Sequence, residues 1–136
     1  IKKDGNKIVI NSKNIESCVI PDALMRKLRS SVIIAGAIIG RMKNVKFSYP
    51  GGCDIGSRPI DLHLKSFEKM GIKIDENTSY IECTCDKIEN TVIQLDFPSV
   101  GATENIILAS VLGEHEIIIK NAAREPEIID LINFLV

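Results

Sequence analysis

Cys53 stands directly behind Gly51-Gly52, and Arg58-Pro59 follow five residues later, in the stretch Ser48–Phe67 (SYPGGCDIGSRPIDLHLKSF). Glycines at 51 and 52 tolerate positive φ, so the thiol rides on a pliable loop rather than in a core. A helix entered at Pro59 offers free N–H groups and the positive end of its dipole, and Arg58 adds a full charge. Cationic surroundings lower a thiol's pKa and hold anions. The group therefore reads as a thiol acting on an anionic substrate. The same residues also suit a plain turn followed by a solvated arginine, and spacing alone leaves both open.

Further candidates lie elsewhere. On the first long helix, Arg26 faces solvent, whereas Arg29 sits about 100° round from Leu28, at the edge of the apolar stripe. Its guanidinium fork suits a phosphate, and a surface arginine is the alternative. In Asp96–Asn105 (DFPSVGATEN) a strand gives way through Phe97 and Pro98 to a helix at Ser99-Val100-Gly101. Ser99 suits an N-cap, or shares its hydroxyl with phosphate oxygens, and Gly101 permits close approach of a ligand. Arg124, in Asn121–Glu127 (NAAREPE), either binds a ligand or pairs with Glu125 or Glu127.

Composition narrows the function classes. A net charge of −1 implies no polyanionic or acidic-membrane partner. With no tryptophan and 4% aromatics, a stacking surface for nucleic acid is not expected. The longest apolar run, Ser30–Gly40, is too short to span a bilayer. Cys83 and Cys85 fall on one face of a strand, and His63 and His115 are scattered, so no zinc-type ligand set is expected. Cys18, Cys83 and Cys85 read as small apolar side chains in a reducing cytosol. The sequence starts within strand-like residues and stops within a helical pattern, so a longer parent protein is expected.

These residues need elements to position them. Gly5–Ser12 alternates as a strand, with a turn at Asp4-Gly5. A helix is expected from Pro21-Asp22 to about Gly40, burying Leu24, Leu28, Val32, Ala35 and Ile39. Strands follow at Val45–Tyr49, Ser79–Thr84, Thr91–Phe97 and Glu116–Lys120. Helices are expected from Pro59 to a left-handed cap at Gly71, from Ser99 to Gly113, and from Pro126 onward. The order contains an echo: Ser30–Gly40, Val45–Tyr49 and Arg58–Phe67 correspond to Asn105–Gly113, Glu116–Lys120 and Arg124–Phe134. Ile60-Asp61-Leu62 corresponds to Ile129-Asp130-Leu131. Such repetition marks an α/β architecture, and its enlarged loop is where function is expected.

Three segments in order, PGGCDIGSRPIDLHL, PSVGATENI and NAAREPEIIDLINFL, carry a resemblance. From about Gly5 onward the chain resembles the enolpyruvyl transferase family, in its UDP-N-acetylglucosamine 1-carboxyvinyltransferase branch. The resemblance implies a two-domain enzyme built from repeated βαβαββ units, an inside-out α/β barrel with helices inside and sheets outside. Residues 1–136 would be a single partial domain, partnered by the remaining domain of the parent chain. It implies transfer of enolpyruvyl from phosphoenolpyruvate to the 3-hydroxyl of UDP-N-acetylglucosamine, in the bacterial cytoplasm, with no cofactor and no metal. Cys53 matches the family's general acid, which also forms a phosphoenolpyruvate adduct and reacts with fosfomycin. Arg58, Pro59, Ile60, Asp61 and Leu62 match the segment that holds the nucleotide-sugar. Ser99 and Val100 match the segment contacting its diphosphate, and Arg29 matches a ligand-binding arginine.

The sequence departs from the family at several places. Some members carry lysine where Phe97 stands, and Asp54 occupies a position usually held by a small residue. The family's N-terminal Lys-Asn pair and the aspartate that deprotonates the sugar hydroxyl have no counterpart, so the isolated chain is expected to be inactive. The rival readings are the shikimate-pathway enolpyruvyl transferases, against which the Gly-Gly-Cys loop argues, and a non-catalytic nucleotide-sugar-binding or structural half-domain.

Overall fold

The computed structural model describes residues 1–27, 29–50 and 60–136, with Arg29 as backbone only. Among the described residues thirteen elements follow in order. A hairpin of β1 (Lys2–Asp4) and β2 (Lys7–Val9) is exposed throughout. The strand expected over Gly5–Ser12 is thus only three residues long and covers nothing. Next come α1 (Asp22–Lys27), a 3₁₀ turn (Arg29–Val32), α2 (Ile33–Met42), β3 (Asn44–Phe47) and α3 (Asp61–Lys69). The chain continues through β4 (Lys73–Glu76), β5 (Ile81–Thr84), β6 (Thr91–Gln94), α4 (Val100–Ser110), β7 (Ile117–Lys120) and α5 (Pro126–Leu135).

The βαβαββ order is visible in the hydrogen bonds. Residues 18–20 run parallel to β3, with Ile20 N–H donating to the Lys46 carbonyl (2.8 Å) and Lys46 N–H to the Cys18 carbonyl (2.9 Å). Then α3 crosses over, and β5 pairs antiparallel between β3 and β4. The second unit repeats the opening: β6 and β7 pair in parallel across α4, and α5 follows. The echo therefore holds element by element. Its residue register does not, because Asp61 heads α3 whereas Asp130 lies inside α5. Likewise Gly40 is inside α2 whereas Gly113 lies beyond the end of α4.

The helix expected over Pro21–Gly40 is broken. A 3₁₀ turn advances about 120° per residue rather than about 100°, so the stripe loses phase across it. Val32, Ala35 and Ile39 are buried as expected, but Leu24 is 51% exposed and Met25 takes its place in the core. Leu28 lies outside the described residues. Helix α2 runs past Gly40 to Met42 and stops at Lys43 in the left-handed conformation (φ 60°). Gly40 does not end it because Gly40 faces inward, onto α4.

Helices α2 and α4 form the centre. Ala35, Gly36, Ile39 and Gly40 face Ala102, Asn105, Ile106 and Ala109, all buried. A Cβ added at Gly40 would fall 2.5 Å from the Ala109 carbonyl, and one at Gly36 2.4 Å from the Asn105 carbonyl. The two backbones meet at a distance that only glycine allows. Around them Phe47, Phe67, Met25, Met70, Ile81 and Leu95 are almost wholly enclosed, and burying each such side chain contributes about 1.5–3 kcal/mol.

Helix α3 closes as expected at Gly71, whose φ is +79°. Gly71 N–H donates to the Glu68 carbonyl and Ile72 N–H to the Phe67 carbonyl, both at 3.0 Å, the paired bonds of a Schellman motif. Its start differs from expectation: Ile60 is the N-cap and Asp61 the first helical residue. Cys83 is buried and Cys85 packs against the core, in line with their reading as apolar side chains.

Candidate functional site

All three motifs leave the C-terminal ends of strands: residues 48–60 follow β3, 95–99 follow β6, and 121–125 follow β7. In open α/β sheets ligands gather at such ends. At β6 the exit is fixed by backbone. Leu95 N–H donates to the Lys120 carbonyl (3.1 Å), and the Asn121 side chain donates to the Leu95 carbonyl (3.0 Å). Asn121 itself turns the chain with φ 57°.

Ser99 caps α4 as expected. Its Oγ accepts from Ala102 N–H (3.3 Å), and its carbonyl accepts from Thr103 N–H (3.0 Å) and Thr103 Oγ1 (2.8 Å). Among the described residues nothing accepts from the N–H groups of Val100 and Gly101, the orphan donors of the first turn. That turn carries no acidic residue, whereas α3 begins with Asp61 and α5 has Glu127 in its first turn. Each helix N-terminus is worth roughly half a positive charge, and only at α4, among these three helices, is it not offset by a carboxylate. Of the three, α4 is the one whose entrance suits an anion.

The first motif reaches the second through His63. The Cε1–Nε2 edge of its ring lies against Gly101, where an added Cβ would meet Cε1 at 3.3 Å and Nε2 at 3.6 Å. Its Nδ1 is 2.9 Å from Asn105 Nδ2. The third motif reaches the second through Thr103, whose Oγ1 accepts from Ala123 N–H (3.1 Å). Arg124 is exposed and lines an open cavity of about 380 Å³ with Pro98, Asn121, Ala122 and Glu125. Its backbone N–H donates to Glu125 Oε2 (2.8 Å).

The remaining candidates are distributed as follows. Cys53, Arg58 and Pro59 lie outside the described residues, and Arg29 is the first residue of the 3₁₀ turn. Ile60 is buried in the core, and its carbonyl accepts from His63 and Leu64 N–H. Leu62 is half-buried against that core, and Asp61 is exposed. Phe97 and Pro98 are exposed beside Ser99, and Val100 is partly covered. Arg26 faces solvent as expected, with Nε 2.7 Å from Asp22 Oδ2. Sequence reading missed His63, Asn105 and Thr103. Thr103 follows its cap by four residues, one helical turn, and His63 follows the Arg58–Leu62 segment directly. Those spacings were the available signals.

Two titrating groups border the region. Hydrogen bonding to Glu76, with burial and that carboxylate's charge adding, raises the Tyr49 hydroxyl to about 12, which ties the exit of β3 to the end of β4. Burial, with the nearby Glu127 charge, pushes the Glu104 carboxyl above its usual range. Among the described residues no group of three or more His, Cys, Asp or Glu is arranged to hold a metal, and no helix is long and apolar enough to cross a membrane.

The sequence profile described as EPSP synthase (3-phosphoshikimate 1-carboxyvinyltransferase) matches residues 1–136. The chain belongs to this family. It is 52% identical over 131 residues to UDP-N-acetylglucosamine 1-carboxyvinyltransferase 2 of Caldanaerobacter subterraneus subsp. tengcongensis, covering 96% of this chain and 31% of that protein. It is 55% identical over 136 residues to UDP-N-acetylglucosamine 1-carboxyvinyltransferase 1 of Clostridium acetobutylicum, covering 99% and 32%. The chain thus spans about a third of the length of the curated relatives it matches. The fold is that of solved EPSP synthase family members. The enolpyruvyl transferase NikO from Streptomyces tendae superimposes with a TM-score of 0.72 at 14% identity, covering 88% of this chain and 28% of its own. EPSP synthase from Acinetobacter baumannii gives 0.52 at 17% identity, covering 71% and 23%.

Proposed function

We propose that this chain forms part of a bacterial cytoplasmic transferase that moves the enolpyruvyl group of phosphoenolpyruvate to the 3-hydroxyl of UDP-N-acetylglucosamine, the first committed step of peptidoglycan synthesis. Residues 1–136 are a partial domain, completed by the rest of a two-domain parent chain. The observation that carries this reading is the junction of three separate motifs around the entrance of α4, through His63 on Gly101 and Ala123 on Thr103. The names of relatives at about 50% identity supply the substrates.

In the reaction the 3-hydroxyl oxygen adds to C2 of phosphoenolpyruvate while C3 gains a proton. The tetrahedral product then loses phosphate from C2 and a proton from C3, which restores the vinyl group. Cys53 acts as the general acid and is the residue open to phosphoenolpyruvate and fosfomycin. The diphosphate of the nucleotide-sugar sits on the free N–H groups of Val100 and Gly101, beside the Ser99 hydroxyl, where helix dipole and hydrogen bonds act together. Arg29, Arg58, Pro59, Ile60, Asp61 and Leu62 shape the rest of the nucleotide-sugar seat, with Phe97, Pro98 and Arg124 on its margin. The reading calls for no cofactor, metal, nucleic acid or membrane.

A second reading, a shikimate-branch enzyme, is favoured by the name of the family profile. Phosphate release by the full-length parent protein tests both. Release is expected with phosphoenolpyruvate and UDP-N-acetylglucosamine, and fosfomycin is expected to label Cys53 and stop it. Release with shikimate 3-phosphate alone would replace the first reading by the second. Binding of the nucleotide-sugar without release would leave a binding module.

A further inference from the structure

The first unit shows how such a sheet is finished. Strand β5, the second strand of the β4–β5 hairpin, lies antiparallel on β3, and the inward residues of the pair, Val45, Phe47, Ile81 and Cys83, are no more than 1% exposed. In the second unit β7 pairs with β6 on one side and, among the described residues, with no strand on the other. Its inward residues Ile117 and Ile119 pack on the core but stay partly exposed. The open edge is a row of backbone N–H and C=O groups, a template for a further strand.

The chain also carries a hairpin without a sheet. Strands β1 and β2 are exposed at every residue, and a lone two-stranded hairpin is marginal in water. Its first strand repeats that of the other hairpin, Ile1-Lys2-Lys3-Asp4 against Ile72-Lys73-Ile74-Asp75. The registers agree as well. Lys2 stands opposite Val9 as Lys73 stands opposite Thr84, and Lys3 opposite Ile8 as Ile74 opposite Cys83. Ile8 and Ile10 therefore hold the places of Cys83 and Cys85, which pack on the core of the first unit, yet they are 65% and 69% exposed. Charge is complementary too. Four lysines against one aspartate give residues 1–13 a net charge of +3, and five carboxylates against Lys120 and Arg124 give residues 114–136 a net charge of −3.

We propose that the β1–β2 hairpin of one copy of this chain completes the second unit of another copy, with β2 antiparallel on the free edge of β7 and Ile8 and Ile10 on the core side, beside Ile117 and Ile119. This is strand addition: backbone hydrogen bonds supply the attraction, and the alternate isoleucines fix the register. The two surfaces differ, so the contact runs head to tail. It is independent of the function proposed above.

Sedimentation velocity of the 136-residue chain over a dilution series tests this. The weight-average mass is expected to reach at least twice that of the monomer at the concentrated end and to fall to the monomer value on dilution. Hydrogen exchange read by mass spectrometry should slow at residues 7–10 and 117–120 together, and only where the larger species is populated. Ile8→Lys with Ile10→Lys puts two charges on the covered face of the contact while altering only exposed positions of the monomer. That variant should melt like wild type when dilute, and should lose both the gain in mass and the slowed exchange. A chain that stays monomeric with fast exchange at 117–120 overturns the proposal. So does a monomer with slow exchange there at every dilution, which would mean that the chain covers its own edge. An Ile8→Lys/Ile10→Lys protein that still associates overturns it as well, and would move the contact to another surface, such as the exposed end of α5.

Discussion

Replacing Gly36 by alanine puts a methyl group into the seam between α2 and α4. The new Cβ would lie 2.2 Å from Asn105 Oδ1 and 2.4 Å from the Asn105 carbonyl oxygen, where ordinary contact begins at 3.4 Å. The side-chain oxygen can rotate away, but the carbonyl is part of α4 and cannot. The helices must therefore part by about 1 Å, in an interior packed as densely as an organic crystal. Two effects compete. Alanine is the better helix former by roughly 0.8–1 kcal/mol. Overpacking a close-packed contact typically costs about 1–3 kcal/mol, and here the glycine Cα, the Val32–Asn105 hydrogen bond and the Gly40–Ala109 contact are all loosened together. The cost wins, by about 1–2 kcal/mol, which lowers Tm by several degrees for a domain of this size. Urea unfolding followed by circular dichroism should give a lower midpoint with an unchanged slope. A Gly36→Ala protein that matches wild type, or exceeds it by the propensity difference, would refute the claim that this glycine sets the distance between the helices.

Glu104→Gln should stabilise the protein at neutral pH and leave it unchanged well below pH 4.5, the ordinary value. The raised carboxyl holds its proton more tightly folded than unfolded, so wild-type stability falls as pH rises above that value; parallel thermal melts across pH check this. Limited alkylation with peptide mapping should label Cys53 first and Cys83 last, because burial pushes the Cys83 thiol up to about 12; early labelling of Cys83 would contradict its buried position. In the parent enzyme Arg58→Ala should weaken UDP-N-acetylglucosamine binding by about tenfold or more, the worth of a charge-assisted hydrogen bond. Arg26→Ala should change it by less than about twofold, since Arg26 is exposed and, among the described residues, pairs only with Asp22; calorimetric titration of both variants decides.

The features legible in the sequence are those set by neighbours in the chain. Ser99 reads as a cap because its hydroxyl bonds three residues on, and Gly71 reads as a stop because its left-handed φ closes two bonds within one turn. Strand β4 was not legible. Lys73-Ile74-Asp75-Glu76 carries a charge at three of four positions and forms a strand because the edge of β5 is there to pair with; charged residues suit such an edge. The break before α2 escaped because periodicity assumes a constant angular step, which a 3₁₀ turn changes. The site was legible as three motifs but not as one place. His63 and Asn105 are 42 residues apart, and Ala123 and Thr103 are 20 apart. Nothing local pairs them.

The seam of glycines also bears on how long the folded state lasts. Asn105 and Val32, joined across it, are 73 positions apart, whereas Thr91 and Ile117 close the second crossover within 26. Loop-closure entropy favours the nearer pairs early, which leaves the docking of the two units to a later step. Contacts made after the rate-limiting barrier govern escape from the native basin rather than entry to it. Gly36→Ala should therefore shorten the unfolding half-life in stopped-flow experiments while the refolding rate stays nearly the same. Two hydrogens in place of two side chains, at Gly36 and Gly40, would then act as a latch on the closed form, setting its lifetime independently of the speed at which it is reached.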